Sequence, residues 1–259
     1  MSAVAPQAAP TSMVTRAPGR ADAWWIKPVL TVAVLGGFVV YATWAGLQNA
    51  NYYVAPYLSP FYSPCFSANC SHVTVPLVGS WWKWSPAILV LWAPGGFRLT
   101  CYYYRKAYYR AFVWAPPACA IPDARAKYFG ESRFPLILQN VHRYFFYVSI
   151  PVLAFLWWDV IHGFRFPDGW GVGLGSLVLL ANTTLLSLYT LSCHSCRHVC
   201  GGGVDRFSKA PVRFRLWKRL SVLNARHAEI AWVSLFGVAL TDLYVRLLAT
   251  GVLHDPRIF

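Results

Sequence analysis

The sequence predicts an all-α polytopic membrane protein, a bundle of five transmembrane helices with its N-terminus in the cytoplasm and its C-terminus outside. Of the 259 residues, 57% are hydrophobic and 12% are charged, against roughly 45–50% and roughly 25% in soluble domains. So few polar side chains cannot cover a soluble globule, and so much apolar sequence excludes a disordered chain. Five apolar stretches also approach the roughly 20 residues that a helix needs to cross a bilayer.

The five predicted spans divide the chain into a tail, a membrane domain and its connections. The spans are Pro28–Leu47, Trp84–Tyr102, Val141–Ile161, Val172–Ser192 and Ala228–Ala249. Residues 1–23, rich in Ala and Pro, are predicted to form a disordered cytoplasmic tail, and residues 24–259 the five-helix transmembrane domain. That domain has an outer loop over 48–83 and cytoplasmic connections over 103–140 and 194–226.

The positive charge of the chain indicates its topology rather than a nucleic-acid partner. The net charge is +14, and seventeen of the 23 Lys and Arg residues precede the first span or lie in the second and fourth connections. Basic connections stay in the cytoplasm, where they also attract anionic lipids. We therefore expect a multi-pass plasma-membrane protein that contacts membrane lipids and binds no nucleic acid.

Two pairs of residues on the predicted outer side are interpreted as structural contacts. Asp242 and Arg246 lie four residues apart near the end of the fifth span, which places them on one helix face and predicts a salt bridge. Cys65 and Cys70 lie in the outer loop, where an oxidising exterior permits a disulfide.

The cytoplasmic ends of four successive spans carry thiols and imidazoles at nearly the same depth. Cys101 closes the second span, His142 opens the third, Cys193 closes the fourth and His227 opens the fifth. Antiparallel helices of a bundle build metal sites in this way, from side chains that face one another. We therefore predict a metal site formed by these four residues, and call them the four-helix set.

The four-helix set suits three kinds of metal group. Two Cys and two His can hold a tetrahedral structural zinc ion. They also match a Rieske-type [2Fe–2S] centre, in which two Cys bind one iron and two His the other. Alternatively, His142 and His227 alone provide the axial pair of a b-type haem.

A second candidate set is local and overlaps the first. The run from Cys193 to Cys200 has the sequence CHSCRHVC, which is similar to short zinc or iron–sulfur boxes. Here His194, Cys196 and His198 are the competing ligands. If the four-helix set binds the metal instead, Arg197 and His198 become candidates for its second shell or for docking a partner.

Several longer runs resemble a known family. They are PFYSPC at Pro60–Cys65, FRLTCYYYRKAYYR at Phe97–Arg110, PPAC at Pro116–Cys119, HRYF at His142–Phe145, CHSCRH at Cys193–His198 and RHAEIAWVSLFG at Arg226–Gly237. Over Tyr53 to about Leu240 the chain resembles the single-chain, five-helix membrane anchor of respiratory complex II, succinate dehydrogenase. More narrowly, it resembles the actinobacterial type, which carries a membrane-embedded Rieske-type cluster in place of haem.

This resemblance implies a succinate:quinone oxidoreductase subunit that does not oxidise succinate itself. A flavoprotein and an iron–sulfur protein would dock on the cytoplasmic face, and electrons would pass through the cluster to membrane quinone. Arg98, an arginine at membrane depth, and Tyr102 and Tyr144 are the candidate quinone-binding residues. The alternatives are a haem b quinone reductase anchor and a non-catalytic scaffold with structural zinc.

Overall fold

The computed structural model describes residues 22–64, 85, 87–122, 124, 132–134 and 136–259, and within them the chain is a bundle of α-helices. The helices are α1 (Ile26–Gln48), α2 (Ile88–Thr100), α3 (Tyr102–Phe112), α4 (His142–His162), α5 (Leu174–Ser192), α6 (His194–Gly201), α7 (Pro211–Ala225) and α8 (His227–Ala249). Two antiparallel hairpins pair β1 (Tyr53–Val54) with β2 (Tyr57–Leu58) and β3 (Arg165–Phe166) with β4 (Gly169–Trp170). Short 3-10 helices cover Leu136–Val141 and Phe207–Lys209.

Four of the five predicted spans are helices long and apolar enough to cross a membrane. They are Ile26–Gln48, Ile137–His162, Leu174–Ser192 and His227–Ala249, of 23, 26, 19 and 23 residues. The all-α membrane bundle is thereby confirmed. Apolar side chains such as Val39 and Val40 remain exposed along α1, as expected where a helix faces lipid.

The second predicted span differs from the other four. Trp84–Tyr102 was expected as one helix, but α2 covers Ile88–Thr100, and Cys101 is extended before α3 begins. Thirteen helical residues rise about 20 Å, less than the roughly 30 Å hydrocarbon core. The count of five spans and the orientation of the termini remain predictions. Residues 1–21 of the predicted tail and residues 65–83 of the predicted outer loop, including Cys65 and Cys70, lie outside the described residues.

The helices pack so that the ends of α2 and α5 meet the beginnings of α4 and α8. The most extensive contacts join α5 with α8, α2 with α4, and α4 with α5, while α6 packs on α7 and α1 on α3. A buried cluster at this end contains Phe97, Cys101, Tyr104, Phe146, Tyr189, Cys193, Cys196, Leu220 and Ala231. We call this the ligand end of the bundle, since it carries the four-helix set.

The close approach of α2 to α4 depends on one glycine. A Cβ atom at Gly96 would overlap the ring of Phe145 on α4, whereas a Cβ at the neighbouring Gly95 would meet no heavy atom within 4 Å. Overpacking of this kind costs about 1–3 kcal/mol. We expect Gly96→Ala to lower the melting temperature of the purified protein, measured by differential scanning fluorimetry. Gly95→Ala is the matched control, and an equal effect of both substitutions would contradict this packing.

The predicted salt bridge between Asp242 and Arg246 is confirmed, and it is buried. Arg246 Nε lies 2.7 Å from Asp242 Oδ2, and the two residues are 4% and 0% exposed. Tyr41 Oη donates to the same carboxylate oxygen at 2.6 Å, and the Ser59 hydroxyl donates to the other oxygen. Arg246 also donates to the carbonyl oxygen of Ala45 at 2.8 Å. This ion pair therefore fastens α8 to α1 at the end of the bundle opposite the ligand end.

The C-terminal segment closes this opposite end. Asp255 accepts hydrogen bonds from Tyr57 Oη and Tyr244 Oη, each at 2.6 Å, and from the backbone N–H of Gly175 at 2.8 Å. Burial, with the hydrogen bond to Asp255 in support, raises the pKa of Tyr57 to about 12. The phenol therefore stays protonated and remains a hydrogen-bond donor over the whole physiological pH range.

Candidate metal centre

Two extended residues between helices and two helix N-termini bring the four-helix set to the ligand end. Cys101 separates α2 from α3, and Cys193 separates α5 from α6, each in an extended conformation with ψ of 130° and 143°. His142 and His227 are the first residues of α4 and α8. Each extended cysteine ends the helix before it. Its thiol therefore lies at the end of that helix, beside the imidazole at the start of another helix.

The four predicted ligands meet in two thiol–imidazole pairs. His142 Nε2 lies 3.1 Å from Cys193 Sγ, and His227 Nε2 lies 3.3 Å from Cys101 Sγ. All four residues are between 1% and 8% exposed, and both thiols are free. Two buried thiol–imidazole pairs therefore lie at this end of the bundle, and their role as metal ligands stays a prediction.

Each histidine also contacts a hydroxyl through its other nitrogen. His142 Nδ1 lies 2.8 Å from Thr100 Oγ1, and His227 Nδ1 lies 2.7 Å from Ser192 Oγ. These hydroxyls belong to the residues that immediately precede the two cysteines. Sequence reasoning missed both of them.

An aromatic ring stacks on each imidazole. Phe97 lies parallel to His142, with ring centroids 4.9 Å apart, and Tyr189 lies parallel to His227 at 5.1 Å. Phe97–Cys101 reads FRLTC and Tyr189–Cys193 reads YTLSC, so both segments follow the pattern aromatic, any residue, Leu, hydroxyl, Cys. This short pattern is the signal that could have linked the hydroxyls and the rings to the site.

The local set overlaps the four-helix set through His194. One donor atom from each of His142, Cys193 and His194 lies within 4.8 Å of the others, and the rings of the two histidines are parallel at 6.3 Å. His194 is exposed, unlike His142. Cys196 is buried beside Cys200 on the next turn of α6. The structure thus offers His194 as an additional donor at the edge of the site.

The two residues predicted for the second shell or for docking contact neighbouring helices. Arg197 donates to Ser221 Oγ at 2.9 Å, and its guanidinium lies 4.6 Å from the ring centroid of Trp217, so it joins α6 to α7. His198 Nδ1 accepts from Arg143 at 3.2 Å, which joins α6 to α4. Both therefore support the helix that follows Cys193.

The predicted quinone residues occupy different surroundings. Arg98 turns inward and donates to Tyr104 Oη at 2.9 Å and to Ser234 Oγ at 3.0 Å. Its guanidinium also lies 4.5 Å from the ring centroid of Tyr189. Tyr102 and Tyr144 are 61% and 68% exposed. The structure therefore separates an interior arginine from two outward tyrosines.

The chemistry of the donors fits a metal group that binds thiolate and imidazole. Sulfur and imidazole ligands together select zinc or iron–sulfur groups. Tyr189 is buried in the same cluster as the two thiols, and its hydroxyl interacts with the Cys101 side chain.

Comparison with known proteins agrees with this architecture. The family model for the actinobacterial succinate dehydrogenase subunit SdhC matches residues 26–251. A chain of the Mycobacterium smegmatis Sdh1 complex in the apo form is similar at 46% sequence identity and a TM-score of 0.83, over 93% of this chain and 94% of that chain. No match was found among curated proteins. Because the family model covers far more than half of the sequence, the chain belongs to the family of actinobacterial succinate dehydrogenase subunit SdhC.

Proposed function

We propose that the chain is the quinone-reducing membrane subunit of a succinate:quinone oxidoreductase, and that Cys101, Cys193, His142 and His227 hold a Rieske-type [2Fe–2S] group. When bound, such a group carries one electron at a time, and its imidazole ligands raise the reduction potential above that of an all-Cys cluster. The observation that carries the proposal is the buried meeting of two thiols and two imidazoles at one end of a membrane bundle.

Two features favour this group over the alternatives. A haem bound by His142 and His227 requires both Nε2 atoms to face the space between the two rings. Instead, each Nε2 faces a thiol sulfur within 3.3 Å. A zinc ion has no redox chemistry, so it would hold the four residues together without carrying electrons. The donor set supports an iron–sulfur group on both grounds.

The side chains of this site perform three tasks. The thiols of Cys101 and Cys193 give up their protons when a metal binds, and the resulting thiolates balance its positive charge. His142 and His227 contribute neutral nitrogen donors. Packing around the four residues excludes water, so that a reduced group is shielded from solvent.

We place the docking face for the flavoprotein and iron–sulfur subunits at the ligand end. Helix α7 presents exposed cations there, namely Arg213, Arg215, Lys218 and Arg219. Arg213 additionally donates to the carbonyl oxygens of Cys200 and Gly202, each at 2.9 Å. It thereby fixes the last turn of α6 under the proposed docking face.

We place the quinone head group against the exposed tyrosines Tyr102 and Tyr144. Tyr102 directly follows Cys101, and Tyr144 lies two residues after His142. Quinone arrives from the lipid phase, so a hydroxyl that meets it must face outward, as these two do. Arg98 remains a predicted quinone-binding residue whose guanidinium also holds α2 against α8.

We expect Tyr102→Phe and Tyr144→Phe to raise KM for quinone about 3- to 10-fold, because each removes one hydrogen bond worth roughly 0.5–1.5 kcal/mol. The measurement is steady-state quinone reduction by the complex with succinate as the electron donor. Tyr147→Phe is the matched control, since that side chain is also exposed on α4. An unchanged KM in both variants would remove these tyrosines from the quinone site.

Metal and sulfide analysis of the purified complex tests the proposal directly. The docked iron–sulfur subunit has clusters of its own, so the wild type is compared with a Cys101→Ala, Cys193→Ala variant. We expect the wild type to hold two more iron and two more acid-labile sulfide atoms, together with an EPR signal that the variant lacks. A b-type absorption spectrum would instead indicate haem. Zinc without extra sulfide would indicate a scaffold.

A further inference from the structure

The hydroxyl groups of Thr100 and Ser192 each donate their proton to a backbone carbonyl oxygen. Thr100 Oγ1 donates to the carbonyl oxygen of Gly96 at 2.7 Å, and Ser192 Oγ donates to that of Tyr189 at 3.0 Å. Hydroxyls in helices commonly bond the preceding turn in this way. A hydroxyl has a single proton, so each oxygen can only accept a further hydrogen bond.

The facing imidazoles must therefore donate. His142 Nδ1 lies 2.8 Å from Thr100 Oγ1, and His227 Nδ1 lies 2.7 Å from Ser192 Oγ. A neutral imidazole has one N–H. If that proton is on Nδ1, the lone pair is on Nε2, the atom that faces a thiol in both pairs. The thiol proton then points at Nε2, and every donor in the two series of hydrogen bonds, from thiol through imidazole and hydroxyl to backbone carbonyl, has an acceptor.

We propose that Thr100 and Ser192 are positioning residues that hold the proton of each site histidine on Nδ1 and so direct both histidines to bind metal through Nε2. The inference rests on the proposed function only for the identity of the bound group. It predicts that removal of either hydroxyl frees one imidazole to change tautomer or to rotate, which weakens metal retention without unfolding the bundle.

The repeated pattern connects the two halves of the site crosswise. In Phe97–Cys101, the ring and the hydroxyl both contact His142, while the thiol contacts His227. In Tyr189–Cys193, the ring and the hydroxyl contact His227, while the thiol contacts His142. Each segment thus orients one histidine and offers its sulfur to the other, so each thiol–imidazole pair needs both segments.

The first test compares metal retention in the whole succinate dehydrogenase complex. Thr100→Val and Ser192→Ala remove the accepting oxygen, whereas Thr100→Ser and Ser192→Thr retain it. Loss of such an outer partner typically costs 10- to 100-fold in metal affinity. We expect about tenfold faster loss of this subunit's metal to a chelator in the first two variants, and rates within about twofold of wild type in the conservative pair.

Thr190→Val is the matched control for this test. Thr190 lies on the same helix as Ser192, is buried and donates to the Leu186 carbonyl oxygen at 2.9 Å. Its substitution removes a comparable hydroxyl without touching a histidine. Wild-type retention in Thr100→Val and Ser192→Ala, or equal losses in Thr190→Val, would overturn the inference.

The second test reads the tautomer itself and needs no bound metal. In metal-depleted complex carrying 15N-histidine in this subunit, we expect the solid-state NMR signals that disappear in His142→Gln and His227→Gln to show protonated Nδ1. Protonated Nε2 in wild type would overturn the inference. If wild type holds no iron and sulfide beyond those of the Cys101→Ala, Cys193→Ala variant, the proposed function fails, while this tautomer measurement still decides the role of Thr100 and Ser192.

Discussion

Replacing His142 and His227 together with alanine is expected to abolish succinate-driven quinone reduction while leaving succinate oxidation with artificial acceptors intact. The double variant removes both nitrogen donors from the buried site, so the proposed metal group would lose half of its protein ligands. Succinate oxidation takes place in the docked subunits and needs neither histidine. The two activities are measured in membranes from the same cells, and the subunit content is checked by immunoblotting.

The matched control is His194→Ala with His198→Ala. These two residues lie on α6 at the same end of the bundle, but both are exposed. We expect this variant to keep most of its quinone reduction. If the His142 and His227 variant stays active and the α6 variant does not, the ligands belong to the local set between Cys193 and Cys200.

Replacing Arg246 with methionine is expected to destabilise the protein by about 3–5 kcal/mol, the usual cost of removing one partner from a buried ion pair. Asp242 would then be a carboxylate with no exposed surface and only the hydroxyls of Tyr41 and Ser59 as donors. The contacts of Arg246 with the end of α1 would disappear as well. We expect a lower melting temperature and poor accumulation in membranes.

The surface pair between Arg257 and Asp168 provides the comparison. Its atoms lie 2.5 Å apart, but the side chains are 39% and 61% exposed, and exposed pairs contribute roughly 0–1 kcal/mol. Arg257→Met should therefore change stability little. Replacing Asp242 with leucine and Arg246 with methionine together should cost less than Arg246→Met alone. Equal effects of Arg246→Met and Arg257→Met would contradict a dominant role for buried charge.

Much of the architecture could be predicted because a bilayer imposes a strong pattern. Apolar stretches near 20 residues long identified four of the long helices, and Cys101, His142, Cys193 and His227 could be placed at one depth by counting from helix ends. The spacing of Asp242 and Arg246 gave their salt bridge. In each case a local pattern determines the position of a residue along its helix. Because the helices of a bundle run side by side, residues at equivalent positions lie at the same level.

The remaining features depend on how the helices face one another, which a single sequence does not encode locally. Thr100 and Ser192 look like ordinary helix hydroxyls until α4 and α8 are placed against them. The inward direction of Arg98 follows from the position of Ser234 on α8. The short α2 was also missed, because Cys101 and Tyr102 continue the apolar run past Thr100 and hide where the helix stops.

The crosswise arrangement of the two five-residue segments has a consequence for biogenesis. Because α8 follows the other helices of the four-helix set and carries His227, the set of donors is incomplete until α8 has been synthesised. Each segment orients the histidine whose thiol partner belongs to the other segment. Neither segment therefore completes a thiol–imidazole pair by itself. The metal group proposed above would therefore load only after His227 has joined the other three residues in the membrane.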